Sequence, residues 1–179
     1  VQLRITREQE FYIGSARSGI QGWIKIGCRN DGKVTGIDLA IVNDGGATGG
    51  GSGNSSAQHV TVCLQPEAMR YRGISVYTNT TPRGAQRGPG QNEMAPILAP
   101  LTDKLAQAID MSRVRFRQIN ALRSDGYQGG SQGPVTSSFI SEALAQGQRE
   151  FNWEEREQLP RDLGGSKRRG IGLGIGYHG

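Results

Sequence analysis

Apolar and polar residues alternate from the first position: Val1, Leu3 and Ile5 share one side of the chain, Gln2 and Arg4 the other. A period of two predicts a half-buried strand, because successive strand side chains point to opposite faces. The pattern breaks at Thr6-Arg7-Glu8-Gln9-Glu10. A threonine followed by acidic residues fits the N-cap and first turn of a short helix. Alternation returns from Trp23 to Cys28, with Ile24, Ile26 and Cys28 on one face, and again at Ile37, Leu39 and Ile41. Between these runs lies Asn30-Asp31-Gly32-Lys33, a turn signature, so the pair predicts a β-hairpin. Residues 69–79 predict another strand, with Ile74 and Val76 on one side.

Helical spacing takes over further on. Residues 54–64 predict a short helix capped by Asn54 or Ser55. Met94, Ile97, Leu98, Leu101, Leu105 and Ala108 recur at the spacing of one helix face. Pro96 falls near the first turn, where proline is tolerated, and Pro100 predicts a kink. A second helix is expected from Met111 to Asn120 with Ser112 as its cap. A third is expected over 137–151, carrying Phe139, Ile140, Ala143 and Leu144, with a further turn at Trp153-Glu154-Glu155-Arg156.

Three loops separate these elements: 44–53, 126–134 and the basic stretch 161–169. The first is rich in glycine and serine. Such a composition reads as a flexible connection, although glycine also permits close approach of the backbone to a ligand or a neighbouring chain. From Gly170 to Tyr177 every second residue is glycine, which predicts a strand with one glycine face. It is not a dinucleotide fingerprint, which needs G-x-G-x-x-G opening a helix.

Composition narrows the classes. With 28 glycines among 179 residues and no collagen period, a plain helical bundle is excluded. A hydrophobic share of 35% is low for a domain with its whole core inside the chain. The net charge of +5 fits an acidic partner: a phosphate-bearing cofactor, nucleic acid or another subunit. Only Lys167, Arg168 and Arg169 cluster. Aromatic residues make up 6%, with no stacking platform, which weighs against a nucleic-acid binder. Cys28 and Cys63 form no CxxC and no metal spacing with His59 or His178, so no metal site is expected and both read as small apolar residues. No stretch has transmembrane length. Val1 stands inside a strand pattern without a signal-peptide profile, so the chain is expected to start at a cut or a processing site. It divides into a strand-rich segment with a hairpin, 1–80, and a segment of loop and helices, 81–179, ending in the glycine-faced strand. The two can equally form one continuous domain.

The candidate chemistry lies in Gln86-Arg87-Gly88-Pro89-Gly90, between a strand and a helix. Glycines let the backbone approach a ligand and aim N–H groups at it. The following helix adds the positive end of its dipole, and Arg87 adds a cation. The set suits an anion or an electron-rich cofactor edge. It is also compatible with a surface turn carrying an exposed arginine.

A resemblance favours the first reading. The stretch from Tyr77 to Gly90 is similar to the "TN-x-x-P-x-G-A-(F/Y)-R-G-x-G" segment of the molybdenum hydroxylases, the xanthine dehydrogenase and aldehyde oxidoreductase family. Ser112 to Asn120 resembles that family's "DP-(V/L)-x-(F/L)-R-x-x-N". Arg4 to Phe11 looks like its "R-E-E-x-F" strand end. Ile26 to Leu39 looks like its "KVG-x-x-x-DG" hairpin. Trp153-Glu154-Glu155-Arg156 and Arg169-Gly170-Ile171-Gly172 match two further landmarks in order.

The resemblance implies an α+β fold, with mixed β-sheets and packed helices, that binds a molybdenum–molybdopterin cofactor. Arg87 would contact the pyranopterin through its main-chain N–H, and Gln86 and Gly88 would line the site. Pro89 would line the substrate pocket. Two departures stand out: Gln86 replaces a usual aromatic, and Pro89 replaces the phenylalanine that stacks on the ring in purine-oxidising members. A small aldehyde or an N-heterocycle held differently is the implied substrate, hydroxylated with oxygen from water. The family's catalytic glutamate lies in a glycine-rich motif not found in this chain, and Glu93 reads as a first-turn helix carboxylate. No catalytic residue is therefore expected here, and the fragment alone is expected to be inactive. Iron–sulfur clusters and FAD would sit on other segments or subunits. The implied partners are the rest of the molybdenum-binding subunit, iron–sulfur and flavin subunits, and a small-molecule substrate. No nucleic acid and no membrane span are expected, and the cytoplasm is the implied location, with the periplasm as alternative. A non-enzymatic anion- or phosphate-binding module is the competing function.

Overall fold

The Asp31–Gly32 turn behaves as its residues predict. In the computed structural model, which describes residues 1–51, 53–128 and 134–176, Asp31 Oδ1 accepts from the Lys33 N–H at 2.9 Å. Gly32 takes a left-handed φ of 89°. A preceding short helix, α1 (Arg7–Ile13), carries the expected Thr6 cap: Thr6 Oγ1 accepts from Gln9 N and Gln9 Oε1 accepts from Thr6 N. The hairpin pairs β1 (Ile20–Cys28) with β2 (Val34–Asp44), from Ile20↔Asn43 to Cys28↔Val34.

From β2 the chain crosses over through α2 (Gly53–Cys63) and returns as β3 (Ala68–Val76), parallel to β2. The sheet is therefore mixed, in the order β1-β2-β3. Then follow α3 (Gln91–Ala108), α4 (Arg113–Asn120), α5 (Ile140–Glu150) and α6 (Trp153–Gln158). This is the α+β architecture expected from the sequence. Val34, Ile37, Leu39 and Ile41 of β2 are buried together with Val60 and Leu64, Met94 and Leu98, and Phe116. One core thus joins the central strand to three helices. It draws on residues from both sides of position 80.

Helix α3 runs through both of its prolines. Pro96 and Pro100 have no N–H to offer the carbonyls of Asn92 and Pro96, but both of those residues are exposed, where water can serve them. Helix α4 is capped by Ser112, whose Oγ accepts from Arg115 N. Two side chains of this helix are scaffold. Arg117 is buried, pairs with Asp103 at 2.7 Å and donates to the Ala99 and Arg113 carbonyls. Asn120, fully buried, donates to the Gly32 and Phe116 carbonyls and accepts from Val34 N. Trp153 is buried beneath the Arg113 guanidinium, 5.0 Å from its ring, and both side chains hydrogen-bond Glu157.

Several expectations fail. Val1, Leu3 and Ile5 are exposed and form no ladder among the described residues; alternation alone does not make a strand without a neighbouring strand to pair with. The "R-E-E-x-F" stretch expected as a strand end is largely helix α1. Segment 170–176 also has no ladder among the described residues, yet Ile171, Leu173 and Ile175 are half-buried and the intervening glycines exposed. The period of two survives in packing without strand pairing, and Tyr177 lies outside the described residues. Helix α2 begins at Gly53, ahead of Asn54 and Ser55, and α5 begins at Ile140 rather than near 137. Of the loop 126–134, residues 129–133 lie outside the described residues.

Both cysteines are free. Burial pushes the Cys63 thiol up to about 12, so it is inert as a nucleophile. No group of three or more His, Cys, Asp or Glu side chains among the described residues is placed to hold a metal. No helix among them is long and apolar enough to cross a membrane.

Candidate functional site

Strands β2 and β3 end at the same edge, with Asp44 opposite Val76. Each gives way there to a loop, and convergent loops at the carboxyl ends of parallel strands are where α/β units place ligands. Asp44 ties the two loops together. Its Oδ1 accepts from Thr78 Oγ1 at 2.5 Å and from Gly46 N at 2.9 Å. Its Oδ2 accepts from Arg83 Nε at 2.8 Å and Nη2 at 2.5 Å. The Thr78 hydroxyl, then the Gly46 N–H and the Arg83 guanidinium, hold the carboxyl down at about 2. It therefore stays ionised through the neutral and mildly acidic range.

The glycine-rich loop is not a flexible connection. Gly46 has a φ of 62° and opens a single 3-10 turn, Gly46–Thr48. A Cβ on Gly46 would stand 2.3 Å from the Thr81 carbonyl oxygen, and one on Gly50 would stand 2.4 Å from that of Arg83. Main-chain bonds run between the loops from Gly45 N to Val76 O, Ala47 N to Thr80 O and Thr78 N to Gly46 O. The glycines serve close approach to a neighbouring stretch of chain, the reading that composition alone had disfavoured.

A second brace comes from Ser15, Ala16 and Arg17. Ala16 N donates to Pro82 O, and Gly84 N donates to Ala16 O. Gln86 Nε2 donates to the Ser15 carbonyl at 3.1 Å. Arg17 reaches furthest: Nη2 donates to Arg87 O at 2.7 Å and Nη1 to Gly88 O at 3.2 Å. Asn92 Nδ2 meets the same Arg87 oxygen at 2.9 Å. Gly88 and Gly90 have φ of 69° and 78°, and Ser56 Oγ donates to Gly90 O as α3 begins. Glu93 sits in the first turn of α3, where it pairs with Arg17 at 3.5 Å.

The candidate residues divide by what they do in this frame. The Gln86 side chain is used in holding the turn to Ser15. The Arg87 side chain is exposed and makes no hydrogen bond or ion pair among the described residues. Pro89 is half-buried between two buried glycines. No hydrogen bond among the described residues uses the main-chain N–H of Gln86, Arg87 or Gly88. The turn thus combines unused N–H donors, a free guanidinium and the N-terminus of an 18-residue helix. Such a set accepts anions and electronegative ring edges. Sequence reasoning missed Asp44, Arg83 and Asn92 as supports, and Arg17 altogether. An acidic residue closing a strand before a glycine run was a signal for Asp44, whereas nothing local marks Arg17.

Residues 1–121 match the family described as "Molybdopterin cofactor-binding domain". The chain is 28% identical over 181 residues to a putative xanthine dehydrogenase molybdenum-binding subunit from Escherichia coli (strain K12), covering 97% of this chain and 23% of that protein. It is 28% identical over 123 residues to a probable xanthine dehydrogenase subunit from Bacillus subtilis (strain 168), covering 67% of this chain and 16% of that one. Among solved structures, quinoline 2-oxidoreductase from Pseudomonas putida 86 superposes with a TM-score of 0.73 at 18% identity, over 86% of this chain and 21% of that one. Aldehyde oxidoreductase from Desulfovibrio gigas gives 0.69 at 19% identity, over 82% and 16%. These superpositions establish a shared fold. The chain spans less than a quarter of each of these proteins.

Proposed function

The chain belongs to the molybdopterin cofactor-binding domain family, and we propose that it forms one wall of the cofactor site in a longer molybdenum hydroxylase. That enzyme oxidises a small aldehyde or an N-heterocycle, with water as the oxygen source. The observation that carries this reading is the Arg87 turn. It is braced by Arg17, Asn92 and Ser15, while the N–H groups of Gln86, Arg87 and Gly88 and the Arg87 guanidinium have no partner among the described residues. That donor set fits an electron-rich pterin edge. Glycine at 88 lets the turn take its φ of 69° with the Asn92 side chain packed 3.1 Å from where a Cβ would stand.

When bound, the cofactor supplies the two-electron redox centre. The chain's own residues bind and orient it. Arg87 and Gly88 donate main-chain hydrogen bonds, Gln86 lines the turn from its anchored position, and the start of α3 adds positive potential. Pro89 offers no aromatic face, so a flat purine gains no stacking at this position. The base, the iron–sulfur clusters and FAD belong to other segments or subunits in this reading. The exposed Leu3, Phe11, Tyr12 and Ile13 fit a body completed by further protein. A cytoplasmic setting goes with it.

Molybdenum and pterin analysis of the full-length native complex tests the proposal. The expected result is stoichiometric molybdenum and pterin that co-purify with the subunit containing this chain. A native complex that holds neither would refute it.

A further inference from the structure

Arg17 carries no motif, yet its guanidinium crosses a separation of 70 residues to reach the Arg87 turn. We infer that Arg17 is a positioning residue for the cofactor: by gripping the Arg87 and Gly88 carbonyls, it fixes the Arg87–Gly88 peptide so that the Gly88 N–H faces the pterin. This inference rests on the proposed cofactor-binding function and names the residue that makes the turn competent.

All peptide bonds among the described residues are trans, so the C=O of Arg87 and the N–H of Gly88 point in opposite directions. Two donors occupy that oxygen, Arg17 Nη2 at 2.7 Å and Asn92 Nδ2 at 2.9 Å. The Gly88 N–H is thereby turned away from Arg17 and Asn92. Glycine makes such a clamp necessary. Gly88, at φ 69°, has no Cβ to restrict it, and without an external hold this peptide can rotate at little cost. Arginine suits the task because its rigid fork spans two adjacent carbonyls, which the single ammonium of lysine does not. Glu93, with its side chain only 7% exposed, stands 3.5 Å from the guanidinium and balances its charge. The clamp is therefore a three-part device of Arg17, Asn92 and Glu93, built behind the face that the ligand would use.

The test compares Arg17→Ala, Arg17→Lys and wild type in the full-length complex. Pterin content is measured after prolonged dialysis, and thermal unfolding is measured on each protein prepared without cofactor. Supporting residues behind a bound metal centre commonly contribute about 10–100-fold in affinity or activity. Arg17→Ala is expected to lose retained pterin by about that factor. Arg17→Lys, which reaches one carbonyl, is expected to fall between Arg17→Ala and wild type. The cofactor-free Arg17→Lys protein keeps a cation beside Glu93 and should unfold close to the wild type, so its pterin loss reports positioning rather than stability. Wild-type retention in both variants overturns the inference. So does pterin loss that merely follows a collapse of the cofactor-free fold, since that marks a structural role. Wild-type complex without pterin would instead refute the proposed function, and the inference with it.

Discussion

Replacing Asn120 with alanine is expected to destabilise this part of the protein by about 3–5 kcal/mol, a large share of what holds a domain folded. The Asn120 amide is fully buried and joins three separate places. Its Nδ2 donates to Gly32 O at 2.7 Å and Phe116 O at 2.9 Å, and its Oδ1 accepts from Val34 N at 2.9 Å. Removing the side chain leaves the buried Val34 N–H without that acceptor, and each buried polar group so stranded costs about 1–3 kcal/mol. The lost contact also disconnects α4 from the hairpin turn whose strand β2 carries Asp44. Thermal unfolding of the full-length protein measures the effect. The transition that contains this region should fall by several degrees. A variant that melts with the wild type would show that the tie contributes nothing.

Under the proposed function, Gly46→Ala is expected to abolish most of the activity and cofactor retention of the full-length protein. Gly46 has a left-handed φ of 62°, which costs a residue with a side chain about 1–2 kcal/mol. The larger effect is steric. The added Cβ would stand 2.3 Å from the Thr81 carbonyl oxygen, and the next nearest atoms, of Pro82 and Arg83, are also backbone, so no flexible side chain can yield. The two loops must separate, and the Asp44 hub loses its alignment with Gly46 N, Thr78 and Arg83. A displacement of about 1 Å at a positioned site can cost about 100-fold in rate, which sets the scale expected for kcat/KM. Gly164→Ala is the control. Gly164 also has a positive φ, 84°, but nothing lies within 4 Å of the Cβ position, so strain without collision should leave activity nearly intact. Equal behaviour of the two variants would contradict the account of the glycine loop.

What could be read from the sequence was what depends on near neighbours. The hairpin at Asn30–Lys33 was legible because a turn is encoded in consecutive residues. The Thr6 and Ser112 caps were legible for the same reason, and α3 because one apolar face recurs along it. The part played by Gly46 was not legible, since it is set by the Thr81 carbonyl on another loop. Arg17 was hidden for the same reason. Val1, Leu3 and Ile5 misled in the opposite sense, because alternation records a preference and pairing needs a partner. The Ser112–Asn120 motif carried the family resemblance correctly. Its arginine and asparagine, Arg117 and Asn120, turn out to be buried scaffold that holds α3 and the hairpin in place.

In the proposed function the Arg87 turn faces the cofactor. A structure of the full-length protein with its pyranopterin bound measures this directly, through the distances from the ligand to the main-chain nitrogens of Arg87 and Gly88. Hydrogen-bond contact is expected at one or both of these nitrogens, with Arg17 still bonded to the Arg87 carbonyl. A pyranopterin seated elsewhere, with the Arg87 turn open to solvent, would contradict it.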